Sequence, residues 1–220
     1  MPTPAEPGGG HDAARLLPLF VKLSGRPVLL VGGGPVAASK LGSLLDAGAD
    51  VTVVAPQVVA ELEAAPVRLQ RREFQPGDLS GAWLVVAAAT PEVNRRVAAE
   101  AERRRIFVNA VDDPESASVY TGGVFRRGRV TVAVSTEGEA PALAGLLREG
   151  LEALVPEDLQ AWVEEARVLR RQWKRDGVPL AGRRPLLLQA LNRLYSDRGG
   201  QPRRVEASPE PARGAAAGAS

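Results

Sequence analysis

The chain contains no cysteine and a single histidine among its 220 residues. The absence of cysteine excludes disulfides, thiol nucleophiles and thiolate metal sites. The one histidine, His11, lies in a leader rich in glycine and proline, so one chain cannot build a histidine triad or a site of several histidines. Acid–base chemistry must therefore come from carboxylates, lysine, tyrosine or a bound cofactor.

Long apolar runs and a strong excess of either charge are also missing. No apolar stretch reaches the length of a membrane span, and the leader lacks the apolar core of a signal peptide. The 28 basic and 26 acidic residues leave a net charge of only +2, which gives no support for nucleic-acid binding. We therefore expect a cytoplasmic protein with neither a nucleic-acid nor a membrane partner.

The feature that points most directly to a ligand is Val28–Ala37, in which a short apolar run leads into three glycines. Its last six residues match G-x-G-x-x-A, a variant of the dinucleotide-binding fingerprint. In this pattern Gly32 permits a tight turn, Gly34 lets the backbone approach a pyrophosphate, and Ala37 allows close helix packing. Pro35 suits a first helical turn whose N–H groups face phosphate. The pattern predicts dinucleotide binding; a structural glycine turn is the alternative.

The acidic residue that usually holds the adenosine ribose after the second strand is missing. The sequence there reads Val-Val-Ala-Pro-Gln and ends at Gln57. Two interpretations stay open: the chain binds no dinucleotide, or Gln57 and main-chain groups hold the ribose. No arginine lies nearby in the sequence to bind a 2′-phosphate, which favours NAD over NADP.

The first half of the chain alternates predicted strands and helices. Strands are predicted at 27–31, 50–55, 67–71, 83–88 and 106–111, with helices at 35–47 and from Pro91 onward. This order implies an α/β fold with a doubly wound parallel sheet of the Rossmann type. Two further strands, at 118–126 and 129–135, have no obvious partner in that sheet, so a second copy of the chain is a reasonable candidate. Helices are predicted near 140–154, 157–174 and 183–196.

Polar residues follow two of these strands at the edge where such sheets bind ligands. Thr90, after the strand 83–88, either caps a helix or contacts the ligand. Asp112 and Asp113 follow the strand 106–111, where Asp-Asp-Pro is a common turn sequence. At this edge a carboxylate beside a nicotinamide could instead accept or position a proton during hydride transfer.

Four arginines cluster by sequence in the second half: Arg126, Arg127, Arg129 and Arg148. Each taken singly is typical of a solvated surface. Together they could pair with a substrate that bears several carboxylates.

Several segments occur in the order found in one known family: Leu19–Leu23, Val28–Gly34, Arg104–Pro114 and Val132–Ala144. Together they resemble the precorrin-2 dehydrogenase family, the dehydrogenase–ferrochelatase module of siroheme synthase. The similarity extends from about Leu16 to about Tyr195. It implies NAD-dependent oxidation of precorrin-2 to sirohydrochlorin in siroheme biosynthesis, and some members also insert ferrous iron.

The resemblance also implies a homodimer and a tetrapyrrole substrate with several carboxylates. The predicted organisation is a disordered leader (1–14), an NAD-binding Rossmann domain (15–113), a dimerisation region (114–150), a helical domain (151–198) and a disordered tail (199–220). Because related fused proteins continue into a methyltransferase, we expect methylation to come from another protein.

The residue pattern and the resemblance together predict roles for individual positions. The family's important aspartate corresponds to Asp112. This residue is also the one candidate for a metal partner, and no metal ligand is assigned. The predicted cofactor contacts are Gly32, Gly34, Pro35, Val36, Pro56, Gln57 and Thr90. The predicted substrate contacts are Asn109, Ser135, Thr136, Arg126 and Arg148. Glu137 and Glu139 depart from the family pattern and add negative charge near a polyanionic substrate.

The sequence is also compatible with a second functional class. A regulatory protein that senses NAD(H) without turnover would contain the same glycine turn and would not need the arginines downstream.

Overall fold

The structure, a computed structural model, describes residues 15–196. The predicted leader 1–14 and tail 199–220 lie outside the described residues. The described chain divides into two compact units. The first contains residues 15–124 and 133–149, and the second contains residues 125–132 and 150–196.

The first unit is built on a parallel sheet. Its strands are β1 (Pro27–Val31), β2 (Asp50–Val54), β3 (Arg68–Gln70), β4 (Leu84–Ala87) and β5 (Phe107–Ala110), and its helices are α1 (Pro35–Asp46), α2 (Ala60–Glu63) and α3 (Pro91–Arg103). The strands lie in the order β3-β2-β1-β4-β5. The chain therefore winds outward from β1 in both directions, which opens a crevice at the carboxyl ends of β1 and β4.

Apolar strands hold this sheet at the centre of the unit. Val31, the last residue of β1, pairs with Val54 of β2 and Ala87 of β4, so the three strands end at the same level. The residues of β1 are buried on both faces after Pro27. One hydrophobic cluster, which includes Leu30 and Leu41, lies on the α1 side, and another, which includes Val97, lies on the α3 side. This is the burial expected of a parallel sheet covered by helices on both faces.

Besides two short 3-10 helices, the other elements within residues 15–196 are a hairpin and three α-helices. Strands β6 (Gly123–Arg127) and β7 (Val130–Val134) form a separate sheet of two strands, which confirms that they have no partner in the first sheet. Helices α4 (Pro141–Leu154), α5 (Leu159–Arg175) and α6 (Leu180–Ser196) follow. No helix within residues 15–196 has the length and apolar character needed to cross a bilayer.

The predicted fold class is confirmed, with two local corrections. The predicted strand 118–126 is wrong for residues 118–122, because Ser118 and Val119 both donate backbone hydrogen bonds to the carbonyl of Val108 and do not form a ladder with β7. The last helix begins at Leu180 rather than near 183 and continues through Pro185. Pro185 lies in the second turn of this helix, close to the helix start where proline is tolerated best.

Candidate functional site

The glycine turn after β1 combines a glycine that the fold requires with one that it does not. Gly32 has a φ of 132°, and a Cβ added there would lie 2.2 Å from the carbonyl oxygen of Ala88. Gly34 occupies the N-cap position of α1, and a Cβ added there would meet nothing within 4 Å among the described residues. Pro35 and Val36 follow, both exposed, in a first turn without acidic residues. Open space beside free N–H groups at a helix start fits a dinucleotide phosphate.

The middle glycine, Gly33, joins this turn to the loop after β2. A Cβ on Gly33 would lie 1.7 Å from the carbonyl oxygen of Gln57. The Gly33 carbonyl also accepts a hydrogen bond from the backbone N–H of Val59 over 2.8 Å. The exposed residues Pro56 and Gln57 are therefore held beside the glycine turn. The fingerprint treats position 33 as variable. The only sequence signal for this contact was therefore the additional glycine, Gly33, between the two that the fingerprint requires.

The fold also brings two arginines near the end of β2, which the sequence did not indicate. The backbone N–H of Ala55 donates to the carbonyl of Gln70, so the residues after β3 lie beside the loop after β2. Both arginines there are engaged: Arg71 pairs with Glu63, and Arg72 pairs with Asp78 over 2.6 Å. The hydrogen bond from Arg72 lowers the pKa of the Asp78 carboxyl below its ordinary value, and the same bond raises the pKa of Arg72.

A buried asparagine ties together the carboxyl ends of β4 and β5. Asn94 is only 4% exposed. Its Oδ1 accepts a hydrogen bond from the N–H of Ala89 over 2.9 Å, and its Nδ2 donates to the carbonyl of Val111 over 3.4 Å. Thr90 caps α3 by accepting from the N–H of Val93. The cap that the sequence suggested is present, and a cofactor contact by Thr90 stays a prediction.

The two aspartates after β5 have different environments. Asp113 accepts a hydrogen bond from the N–H of Ser116 over 3.2 Å and caps a short 3-10 turn. Asp112 is exposed and has a φ of 58°, a left-handed conformation uncommon outside glycine. Its carboxylate forms no hydrogen bond or ion pair within residues 15–196. Asp113 thus stabilises the turn, whereas the Asp112 carboxylate, unengaged in the part of the chain that the structure describes, lies at the edge where such sheets bind ligands.

The segment 118–122 lies against β5 and is anchored by a buried side chain. Asn109 of β5 is 6% exposed, and its Nδ2 donates to the carbonyl of Val119 over 2.9 Å. The Ser118 hydroxyl accepts from the N–H of Val108 over 2.8 Å. The Oδ1 of Asn109 is buried without a hydrogen-bond partner among the described residues. A buried acceptor of this kind calls for a ligand or a water.

The same segment contacts the loop 135–140, which holds two of the predicted substrate residues. The Tyr120 ring lies against Gly138, and a Cβ added to Gly122 would lie 2.0 Å from the carbonyl oxygen of Val134. In the loop, the Ser135 hydroxyl accepts from the N–H of Glu137, and the Thr136 hydroxyl accepts from the N–H of Ala140. Because each hydroxyl retains its own O–H, both can still donate to a ligand.

The arginine cluster seen in the sequence divides between the two units. Arg148 belongs to the first unit and pairs with Glu149 over 3.0 Å. Arg126 is an exposed residue of the second unit, where Arg127 donates to the carbonyl of Val155. Arg127 therefore has a structural contact of its own. Within residues 15–196, no three carboxylate or imidazole groups lie together in a way that could hold a metal ion.

Comparison with known proteins gives matches over most of the chain. A family model described as NAD(P)-binding matches residues 19–123, and one described as sirohaem biosynthesis protein central matches residues 127–154. Siroheme synthase 3 of Aeromonas hydrophila is 47% identical over 173 residues, which cover 76% of this chain and 37% of that protein. Siroheme synthase of Photorhabdus laumondii is 44% identical over 82% of this chain and 39% of that protein.

A solved structure extends this similarity to the fold. The structure titled SirC, precorrin-2 dehydrogenase, has a TM-score of 0.62 and 26% identity, and the match covers 82% of this chain and 92% of that one. The present chain spans less than half the length of the siroheme synthases named above. The glycine turn belongs to a domain that binds a nicotinamide cofactor. The chain belongs to the family of the siroheme synthase amino-terminal module, to which the SirC structure is also similar.

Proposed function

We propose that the protein is an NAD-dependent precorrin-2 dehydrogenase that produces sirohydrochlorin. The observation that carries this proposal is that the glycine turn after β1 and the Asp112 turn after β5 open at the same edge of one parallel sheet. Two strand spacings separate β1 from β5, a distance of about 10 Å. An extended dinucleotide can span that distance from its phosphates to its reactive ring.

The orientation of the cofactor follows from the strand order. In folds of this type the adenosine ribose lies over the second strand and the pyrophosphate over the first glycine turn. In this chain those positions correspond to Gln57, after β2, and to Gly34. The nicotinamide half then extends over β4 and β5, toward Asp112. Pro35, Val36 and Pro56 border the adenosine and phosphate half, and Thr90 borders the other.

A preference of this site for NAD over NADP is supported by the ion pairs near β2. A 2′-phosphate on the adenosine ribose is commonly held by an arginine at this place. Arg71 and Arg72 are the arginines that the fold brings there, and both are already paired with carboxylates. Using either one for a phosphate would leave Glu63 or Asp78 without its partner. The preferred cofactor is therefore NAD.

The chain's own residues position the substrate and accept a proton. When bound, the cofactor supplies a hydride acceptor for one carbon-bound hydrogen of precorrin-2. Asp112 accepts the proton that the ring loses in the same oxidation, because its carboxylate is exposed and forms no hydrogen bond or ion pair within the described residues. Asn94 holds the Val111 carbonyl next to it. Asn109, Ser135 and Thr136 offer polar groups to the macrocycle.

We further propose a homodimer built on the hairpin and α4. The hairpin has no partner strand within residues 15–196. Helix α4 exposes five leucines: Leu143, Leu146, Leu147, Leu151 and Leu154. Apolar patches of this kind mark protein interfaces, and sedimentation of the purified protein tests the assignment.

Arg126 and Arg148 remain proposed contacts for substrate carboxylates. The domain boundaries at 113 and 150 also remain a proposal, and the cytoplasmic location stays a prediction.

The central experiment is anaerobic incubation of the purified protein with precorrin-2 and NAD⁺, with NADH formation followed optically. We expect NADH and sirohydrochlorin in equal amounts, and slower turnover with NADP⁺. Absence of NADH would overturn the dehydrogenase assignment. Tight NAD binding by calorimetry without turnover would favour the alternative of an NAD(H) sensor.

Iron insertion is a separate activity that Asp112 could also serve as a base or metal partner. An anaerobic assay with sirohydrochlorin and ferrous or cobaltous ion tests it directly. Loss of both the dehydrogenase and the chelatase reaction in Asp112→Asn would show that one carboxylate serves both. Loss of dehydrogenation alone would assign chelation to other groups.

A further inference from the structure

Lys40 lies on α1 beyond the glycine turn, and its ammonium group contacts the segment 118–122. Its Nζ donates a hydrogen bond to Oγ1 of Thr121 over 3.2 Å, between residues 81 positions apart. The Lys40 side chain is half-buried, and Thr121 is exposed. Within residues 15–196, the Lys40 ammonium group donates no second hydrogen bond and pairs with no carboxylate. Because an ammonium group has three donors, two N–H groups remain for a ligand.

The surroundings of this ammonium group favour an anion. The first turn of α1 contains no acidic side chain. The segment 118–122 reads Ser-Val-Tyr-Thr-Gly and contributes no charge. The Thr121 hydroxyl accepts the bond from Lys40 and retains its own O–H, so the two residues can both donate to one anionic group. A lysine anchored by a hydroxyl, rather than neutralised by a carboxylate, keeps its charge for such a group.

Two anions of the proposed reaction could occupy this place: a phosphate of the cofactor or a carboxylate of the substrate. The phosphate is expected at the N–H groups beside Gly34. Lys40 lies six residues further along α1, about 9 Å at 1.5 Å per residue. Its partner Thr121 lies between Tyr120, which contacts Gly138 in the loop 135–140, and Gly122, which lies against Val134 at the start of that loop. The geometry therefore favours the substrate side of the site.

We propose that Lys40 and Thr121 bind a carboxylate arm of the tetrapyrrole; this inference rests on the function proposed above. Tyr120, the neighbour of Thr121, also contacts the turn after Asp112 through the carbonyl of Pro114. A carboxylate bound at Thr121 fixes the ring on the same segment that supports the Asp112 turn. The pair thus sets the position of the substrate and takes no part in hydride or proton transfer.

The test compares Lys40→Met and Thr121→Val with a control, Lys22→Met, at an exposed lysine of the same unit. Loss of a charge-assisted hydrogen bond should raise the KM for precorrin-2 by about tenfold to a hundredfold in Lys40→Met. Thr121→Val should raise it less, by a few fold. The kcat and the dissociation constant for NAD should change by less than about twofold. The control should match the wild type. Lys40→Arg should have a KM for precorrin-2 between those of the wild type and Lys40→Met.

A binding probe separates this inference from the dehydrogenase assignment. Uroporphyrin, which carries eight carboxylates, is titrated into each variant and its fluorescence is followed at low and high salt. Weaker binding by Lys40→Met, with a smaller salt dependence than the wild type, supports the carboxylate site even if no NADH forms. Unchanged uroporphyrin affinity, no uroporphyrin binding by the wild type, or a selective loss of NAD affinity would each overturn it, the last in favour of a phosphate contact.

Discussion

The Tyr120 ring lies against Gly138 while its hydroxyl donates a hydrogen bond to the carbonyl oxygen of Pro114 over 2.8 Å. One side chain therefore joins the loop 135–140 to the turn that follows Asp112. A Cβ added to Gly138 would lie 3.0 Å from Cε1 of Tyr120. This contact connects the proposed proton acceptor to the proposed substrate loop within the first unit.

Replacing Gly138 by alanine should disturb this connection. The residue has a φ of 85°, so the substitution combines an unfavourable backbone conformation with contact against the ring. We expect a loss of about 1–2 kcal/mol in the free energy of unfolding, measured by urea denaturation, and a raised KM for the tetrapyrrole. Gly145→Ala is the matched control, since a Cβ there meets nothing within 4 Å. Equal stability of the Gly138 variant and the wild type would contradict the contact.

The two neighbouring glycines of the first turn should respond differently to alanine. Gly33→Ala drives a methyl group into the Gln57 carbonyl, so we expect a loss of stability of about 3 kcal/mol or more. The added methyl group of Gly34→Ala meets nothing within 4 Å in residues 15–196, so the stability of this variant should fall by less than about 1 kcal/mol. Its affinity for NAD should nevertheless fall at least about tenfold, because the methyl group occupies the space assigned to a phosphate. Thermal denaturation and calorimetry measure the two effects, and normal NAD affinity in Gly34→Ala would exclude the assigned phosphate position.

Asp112→Asn removes the carboxylate while keeping a residue that tolerates a left-handed φ. We expect turnover of precorrin-2 to fall by about two to four orders of magnitude, with the dissociation constant for NAD unchanged. Asp113→Ala is the companion variant, because that residue caps the turn through Ser116. It should lose about 1 kcal/mol of stability and retain most of its turnover. Full activity of Asp112→Asn in the anaerobic assay would show that Asp112 only shapes the turn and does not accept the proton.

The Arg72–Asp78 pair should make the first unit less stable in acid. The hydrogen bond from Arg72 lowers the pKa of Asp78 in the folded state, so the unfolded state binds a proton at a higher pH than the folded state does. The stabilisation is present above the unfolded pKa of about 4 and is lost as the pH falls through the folded pKa. In urea titrations across this range, Asp78→Asn should have lower stability at neutral pH and a shallower acid loss. Glu61→Gln, at an exposed carboxylate that has no ion pair within residues 15–196, should follow the wild type.

The sequence by itself determined the parts of the protein that depend on local pattern. The apolar run of β1, the glycines and the helix start at Pro35 follow one another within the ten residues Val28–Ala37. They could be predicted together because strand burial and helix capping are properties of neighbouring positions. The same reasoning located the five parallel strands and the separate hairpin. Short elements escaped it: α2 has only four residues and too little periodicity to be recognised.

Only the tertiary structure decided which distant residues meet at the site. Three contacts at the site join residues that are distant in the sequence: Gly33 with Gln57, Asn94 with Val111, and Lys40 with Thr121. The last pair is 81 positions apart. No periodic pattern marks such pairs, since their contact depends on how the strands are ordered and where each loop leaves the sheet. The sequence therefore indicated the cofactor and the family. The different roles of Asp112 and Asp113 could be seen only in the folded turn, where the Asp113 carboxylate caps and the Asp112 carboxylate has no partner among residues 15–196.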